Sequence, residues 1–375
     1  MTPVPQSKPQ IKKTTSPSAP LLSIVLIGYN SKFFLNHCLK GVEQQTLKNI
    51  ETIFIDNASA DDSVEFVKKN FKFAKVIANR ENTGYVGAAN QGIRMTTSKY
   101  LMVLNPDLIM PPDYLKKIVA KLEQDPKIGA ITGKVLKYDF EKDKPTQFID
   151  TTGLYCYRNR RVIDRGQGMK DEGQYDEEEE VFGISGAVPV YRREALEDTK
   201  LPMLTKYRLN QDDYAVLKSA GQVYEYLDED FFMYKEDIDI SWRLRLRGWK
   251  CYYYPQAVCY HGRGTGVLKR FTHWEVYKGR KNLNRFQKYY AYKNQRLMQV
   301  KNEQWGNFLR DLLWIKGKEI LIFGYILFRE PYLLKGIWVF LRQLPNALRK
   351  RRIIMKRAVV SSATMHHWLS GEAKF

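Results

Sequence analysis

From Leu22 onward, short apolar runs alternate with segments whose apolar residues recur at helical spacing. Residues 22–28 (LSIVLIG) are almost continuously apolar and partly β-branched, which predicts a strand covered on both faces of a parallel sheet. Residues 31–45 carry Phe34, Leu35, Cys38, Leu39 and Val42 at helical spacing. A second strand is expected over 51–55, ending at Asp56. A helix follows over 60–70, with Asp61 and Asp62 near its N-terminus, where acids complement the helix dipole. A third strand over 75–78, a helix over 85–95 and a fourth strand over 100–104 complete the series. Such alternation predicts an open, doubly wound α/β sheet. Beyond Pro111 the pattern predicts strands over 128–138, 181–191 and 250–260 and a helix over 237–247. The acidic run 176–180 reads as a solvated loop. There is no internal repeat.

The flanks differ from this core. Residues 1–20 are rich in Pro, Ser, Thr and Lys and lack an apolar signal-peptide segment, so they read as a disordered tail. The α/β domain is then expected over 21–270 and a helical, amphipathic region over 271–375. Residues 261–375 hold 24 of the chain's 61 Lys+Arg but only 6 of its 41 Asp+Glu, so nearly all of the +20 net charge lies there. The longest apolar run, 320–328, is nine residues, short of the roughly 20 a spanning helix needs. Trp305, Trp314 and Trp338 among basic residues suit helices lying on a membrane surface. The alternative for the same helices is packing on the α/β domain or on a second protomer, as in a homodimer. None of the four cysteines forms a C-x-x-C pair, which gives no sign of a zinc ribbon or redox motif and fits reduced thiols in the cytoplasm.

Ligands of open α/β sheets sit beyond the carboxyl ends of the strands, and here four strand ends in a row carry polar or Gly-rich turns. The first runs into Gly28-Tyr29-Asn30 and the second into Asp56-Asn57. The third runs into Asn82-Thr83-Gly84 through Asn90, and the fourth into Asn105-Pro106-Asp107. Asp56 suits either a helix N-cap or a nucleobase or ribose contact. Gly84 and Gly87 let the backbone approach a ligand. They do not form G-x-G-x-x-G, which disfavours hydride transfer. Asp107 suits a turn or a hard cation that also touches substrate phosphates. Glu236, Asp237 and Asp239 precede or open a helix, where they either cap it or supply a general base. His261 ends a strand before Gly262-Arg263-Gly264, a position that suits a ligand or phosphate contact.

Together SIVLIGYN, IDNASADD, N-x-G-x-x-G-A-A-N-x-G, LNPD, SGA and FFMYKEDIDISWRLRLRGWK resemble glycosyltransferase family 2, above all its rhamnosyltransferase-like members. The resemblance runs from Leu22 to Gly266. It implies a GT-A type fold and a nucleotide-sugar site formed by Tyr29, Asn30, Asp56, Asn82, Gly84, Asn90, Asn105 and Arg263. It implies Mg²⁺ or Mn²⁺ at Asp107 and His261, with Asn105 replacing the first Asp of the family's D-x-D motif. Asp237 falls at the family's catalytic base. Gly186, Glu236 and Asp239 stand on the acceptor side, where Trp242 packs either sugar or core. The implied reaction is inverting transfer from a dTDP-sugar, rhamnose first, or a UDP-sugar. The acceptor is a glycan or polyprenyl-linked hydroxyl in cell-surface polysaccharide or cell-wall synthesis. The expected location is peripheral, at the cytoplasmic face of the cell membrane. Residues 198–224 read as an insertion beside the acceptor site. Two other readings use the same features. One is a non-catalytic sugar-nucleotide-binding relative. The other, nucleic-acid binding through the basic region, lacks any zinc-finger, RRM or KH signature and is not expected.

Overall fold

The computed structural model describes residues 19–203, 223–262 and 283–371. The tail up to residue 18, Arg263 and most of the 198–224 segment therefore lie outside the described residues.

Strands β1 (Leu22–Gly28), β2 (Ile50–Asp56), β3 (Ala74–Ala78) and β4 (Tyr100–Leu104) are parallel in the order β3-β2-β1-β4. Helices α1 (Lys32–Glu43), α2 (Ser63–Asn70) and α3 (Gly84–Arg94) connect them. Every residue of β1 is buried, and its alternation explains why. Val25 and Ile27 face a core shared with Val86 and Ile93 of α3. Ile24 and Leu26 face a second core shared with Leu35 and Leu39 of α1. Leu22 pairs with Ile50 and Gly28 with Asp56, so the polar strand ends stand level. The second helix starts later than expected because Asp61 is used before it, accepting from Ser63 and Lys32 N–H groups.

The chain continues through β5 (Leu108–Ile109), α4 (Tyr114–Gln124), β6 (Ile128–Asp139), β7 (Lys144–Thr151) and a hairpin of β8 (Leu154–Cys156) and β9 (Val162–Asp164). Next come β10 (Glu179–Glu180), β11 (Val190–Arg192), α5 (Arg193–Thr199) and the paired β12 (Leu201–Pro202) and β13 (Tyr224–Glu225). Helix α6 (Glu236–Leu246) and strand β14 (Lys250–His261) follow. Antiparallel β11 joins β4 to β6, and β14 runs parallel to β6, extending the sheet to ten strands among the described residues.

Two expectations change here. The strand expected over 181–191 is strand only from Val190. A Cβ on Gly183 would lie 2.5 Å from Ser241, and one on Gly186 would lie 3.3 Å from Asp237. The chain leaves the sheet to press its glycines against α6. The acidic run stays exposed over residues 176–179, as expected, but it ends in a strand and most of its acids are paired. Asp176 pairs with Lys134, Glu178 with Lys121, Glu179 with Arg165 and Glu180 with Arg245. Charge pairing docks β10 on the edge of β14.

Helices α7 (Arg285–Asn302), α8 (Trp305–Arg310), α9 (Leu312–Arg329), α10 (Leu334–Arg357) and α11 (Ser362–Leu369) follow. Among the described residues no helix is long and apolar enough to cross a membrane. The expected boundary at 270/271 does not separate two cores. Leu297, Met298, Ala347, Ile354, Met365 and Leu369 share one buried cluster with Trp242 and Leu244 of α6. Part of the C-terminal charge also serves the fold. Buried Lys301 pairs with Asp228 and Asp239, and buried Lys350 with Glu225, Asp228 and Asp230. All four cysteines are buried and free.

Candidate active site

The short ladder between β5 and β14 sets Leu108 opposite His261, and Gly262 N–H donates to Asp107 O at 2.8 Å. The side chains meet as a result. His261 Nε2 lies 3.2 Å from Asp107 Oδ1, and Nδ1 lies 2.8 Å from Asp150 Oδ2. Asp150 is fully buried and fixes the ring from behind, as a carboxylate does for a ligating imidazole. Burial opposes a charged ring, but hydrogen bonds to Asp107 and Asp150 outweigh it and raise the imidazole to about 9. Among the described residues no three His, Cys, Asp or Glu side chains gather into a metal cage. The Asp107 carboxylate, and His261 Nε2 once a cation displaces its proton, instead fit a divalent cation that takes its other ligands from phosphate oxygens and water.

Asn105, Asp107, Gly186, Glu236, Asp237 and His261 line a single cavity of about 480 Å³. Asp237 Oδ2 accepts from Gly186 N–H at 3.0 Å, and Oδ1 from Ile238 N–H at 2.8 Å. Burial still raises the carboxyl above its ordinary value, against the Gly186 bond. Burial and the neighbouring Asp237 push Glu236 up to about 8. The backbone leading into α6 is strained, with Phe232, Tyr234 and Lys235 at φ of 68°, 69° and 76°. Such conformations cost about 1–3 kcal/mol each and persist where the surroundings enforce them. Here Asn294 of α7 enforces them, donating to the carbonyls of Phe231, Met233 and Tyr234 at 3.0, 2.8 and 2.8 Å. Lys235 and Asp164 also line the cavity, and sequence reading missed both. The lysine was hidden among the acids next to it, and Asp164 sits in a hairpin with no motif.

Of the remaining strand ends only Tyr85, after the third strand, reaches this cavity. Asp56 is buried; its Oδ2 accepts from Ser59 N–H at 2.9 Å, while Oδ1 has no partner among the described residues. It therefore ends β2 with one buried acceptor atom unpartnered and caps no helix. At the level end of β1, Tyr29 is 54% exposed and Asn30 Oδ1 accepts from Ala60 N–H at 2.8 Å. Buried Asn57, missed as a site residue, shapes the third turn. Its amide donates to Asn82 Oδ1 and Gly84 O, and its Oδ1 accepts from Thr83 N–H. Gly84 has φ of 78°, and a Cβ there would lie 2.4 Å from the Phe232 ring. Its freedom serves packing against the loop before α6.

Three assignments are corrected. Asn90 is fully buried and binds protein: its Oδ1 accepts from Tyr226 and Leu227 N–H at 3.0 and 2.9 Å. Asp239 is fully buried between Arg243, Lys301 and Asn302, one turn away from solvent chemistry. Trp242 is fully buried with its ring edge-on to Phe182, a core residue. In α6 these side chains point inward because the helix is buried on nearly every face.

Residues 23–199 match the family model for glycosyl transferase family 2. The chain carries a glycosyltransferase family 2 domain. Its mostly parallel α/β sheet is GT-A-like. The match to this glycosyltransferase domain includes Asp56, Asp107, Asp150 and Gly186, while Glu236, Asp237 and His261 lie beyond it. An uncharacterized glycosyltransferase of Haemophilus influenzae is 30% identical over 129 residues, 34% of this chain and 40% of that protein. The poly-beta-1,6-N-acetyl-D-glucosamine synthase of Staphylococcus aureus is 27% identical over 243 residues, 64% of this chain and 49% of the synthase. The chain thus spans less than half the length of these relatives. Among solved structures, GalNAc-T7 with UDP, GalNAc and Mn²⁺ aligns with a TM-score of 0.49 at 14% identity, covering 76% of this chain and 52% of that one.

Proposed function

We propose that this protein is a cation-dependent, inverting glycosyltransferase that moves a sugar from a nucleoside-diphosphate donor to a hydroxyl of a cell-surface glycan. The observation that carries this reading is one cavity holding both a base and a cation pair: Asp237, oriented by two backbone N–H groups, and Asp107 with His261. Asp237 takes the proton of the acceptor hydroxyl as its oxygen attacks C1. The C1–O bond to the diphosphate breaks on the opposite face, and the nucleoside diphosphate leaves with the electron pair, so the anomeric configuration inverts. A divalent cation held by Asp107 and His261 would neutralise that leaving group. Asp56, whose Oδ1 lacks a partner in the protein, binds the nucleobase or ribose, flanked by Tyr29, Asn30 and Asn82.

The test is a donor panel with Mg²⁺ or Mn²⁺, following nucleoside diphosphate release. dTDP-rhamnose enters on the sequence resemblance. UDP-N-acetylglucosamine enters because the S. aureus relative is named for a polymer of that sugar. One donor should be turned over, with the rate lost to chelator and restored by the cation. Donor binding without turnover across the panel would instead favour a non-catalytic relative.

Peripheral attachment at the cytoplasmic face of the cell membrane belongs to the same proposal. On α9 and α10, Leu313, Leu321, Phe328 and Trp338 stand exposed, Leu313 and Phe328 at 85% each, among Arg329, Lys335 and Arg342. Such a face suits an anionic bilayer surface. The protein should float with phosphatidylglycerol vesicles, and Leu321→Glu with Phe328→Glu should abolish flotation. Dimers in sedimentation without flotation would assign the face to a second copy.

A further inference from the structure

A second and larger concavity, about 880 Å³, opens beside the catalytic cavity. It lies between the β8–β9 hairpin and helices α8, α9 and α11. Leu154 and Ile163 of the hairpin line both spaces, so the groove adjoins the catalytic cavity across the hairpin. Its volume falls at the upper end of the about 300–1,000 Å³ usual for ligand sites.

We propose that this groove holds the acceptor: a neutral oligosaccharide several units long, whose terminal hydroxyl reaches Asp237. The proposal rests on the glycosyltransferase reading and names the substrate class of that site. Three observations select this occupant. The first is aromatic surface. Tyr155, Tyr157, Trp314 and Trp368 line the groove. Tyr155 and Tyr157 meet edge-on at 5.1 Å. The Arg158 guanidinium lies 5.4 Å from the Trp314 ring centre, and that of Arg245 lies 3.8 Å from Trp368. These contacts hold the rings in place, and pyranose rings present flat C–H faces to such surfaces.

The second observation is charge. The lining carries three arginines and two glutamates. Arg158 is already paired with Asp311 at 2.8 Å, and Arg165 with Glu179. Little uncompensated positive charge faces the groove, which disfavours a phosphate-bearing polymer and leaves N–H donors and carboxylate oxygens for hydroxyl groups. The third is adjacency. A chain with one end at Asp237 has only Leu154 and Ile163 to pass before it reaches the groove. The acceptor is thereby read in part by α9 and α11, outside the matched family domain.

The experiment uses the full chain on an array of neutral and anionic oligosaccharides of two to eight units. It compares wild type with Trp314→Ala and Tyr157→Ala and records donor hydrolysis without acceptor in parallel. Trp314 is 57% exposed, so its truncation spares the core. Retention of neutral glycans should rise with length. It should fall about tenfold in each variant, as for loss of one aromatic anchor, with donor hydrolysis unchanged. Retention confined to phosphate- or carboxylate-bearing glycans, retention of none, or retention unaltered in both variants would overturn the assignment. Glycan retention without any donor hydrolysis would leave the groove standing and remove the glycosyltransferase reading instead.

Discussion

Asp237→Asn should lower the rate of sugar transfer by about 10²–10⁴-fold, the usual contribution of a positioned general base. The amide keeps the shape of the carboxylate, so donor binding should change little, while its NH2 can no longer accept from Gly186 or Ile238 N–H and stability should fall by about 1 kcal/mol. The pH profile carries a second, independent signature. A general base acts when deprotonated, so transfer is lost as the pH falls through its pKa. Burial raises Asp237, and the acid limb of kcat/KM should therefore lie above the ordinary aspartate value of about 3.9. Glu236, pushed up to about 8 by burial and by Asp237, shares that limb, because two adjacent buried carboxyls titrate as a pair. In the variant the limb should flatten. Steady-state rates of nucleoside diphosphate release between pH 4 and 9 read both effects. A variant with the wild-type rate would remove Asp237 from the mechanism.

Lys350→Met should be the most destabilising single change outside the apolar core. Lys350 is fully buried, with its ammonium 2.5 Å from Glu225, 2.6 Å from Asp228 and 3.0 Å from Asp230. Methionine fills the space but leaves these carboxylates short of a counter-charge. Breaking a buried pair from one side costs about 3–5 kcal/mol, a large part of the roughly 5–15 kcal/mol that holds a native protein together. Chemical denaturation at pH 7 should show the midpoint falling with an unchanged slope. Adding Asp228→Asn should recover part of the loss. Burial works to raise Asp228, but Lys301 and Lys350 outweigh it and hold the carboxyl well below its usual range. A depressed carboxylate contributes stability above its unfolded pKa and loses it as the pH falls below. The gap between wild type and variant should therefore narrow below about pH 4. A loss under about 1 kcal/mol, the size of a surface pair, would show that the network carries no net stability.

The Rossmann-like half was legible because its signals are local. Leu22–Gly28 is buried along its whole length, and a run of apolar residues says so without reference to any partner. The strand ends were legible for the same reason, since polar residues following apolar runs mark where the sheet stops. Sequence reasoning reached the groups that now line the catalytic cavity, Asn105, Asp107, Gly186, Glu236, Asp237 and His261, through motifs as well as pattern. It failed inside those motifs. Asp237, Asp239 and Trp242 sit within six residues on one helix, yet only the first faces the cavity. Nothing in their order shows that α7 and α10 cover the other faces of α6.

The sequence by itself determined the strands and helices of the first parallel half, where those strands end, and which titratable groups are available there. Periodicity and turn chemistry depend on near neighbours along the chain. The tertiary structure alone decided what those groups do. It set Asp107 against His261 across the β5–β14 ladder and put Asp150 behind the imidazole. It used Asn294 to hold the strained backbone ahead of Asp237. It also turned buried lysines of a basic C-terminal region toward the acids of residues 225–239. Burial, charge pairing and raised pKa values arise from partners tens to more than a hundred residues apart, and only folding brings them within a few ångströms.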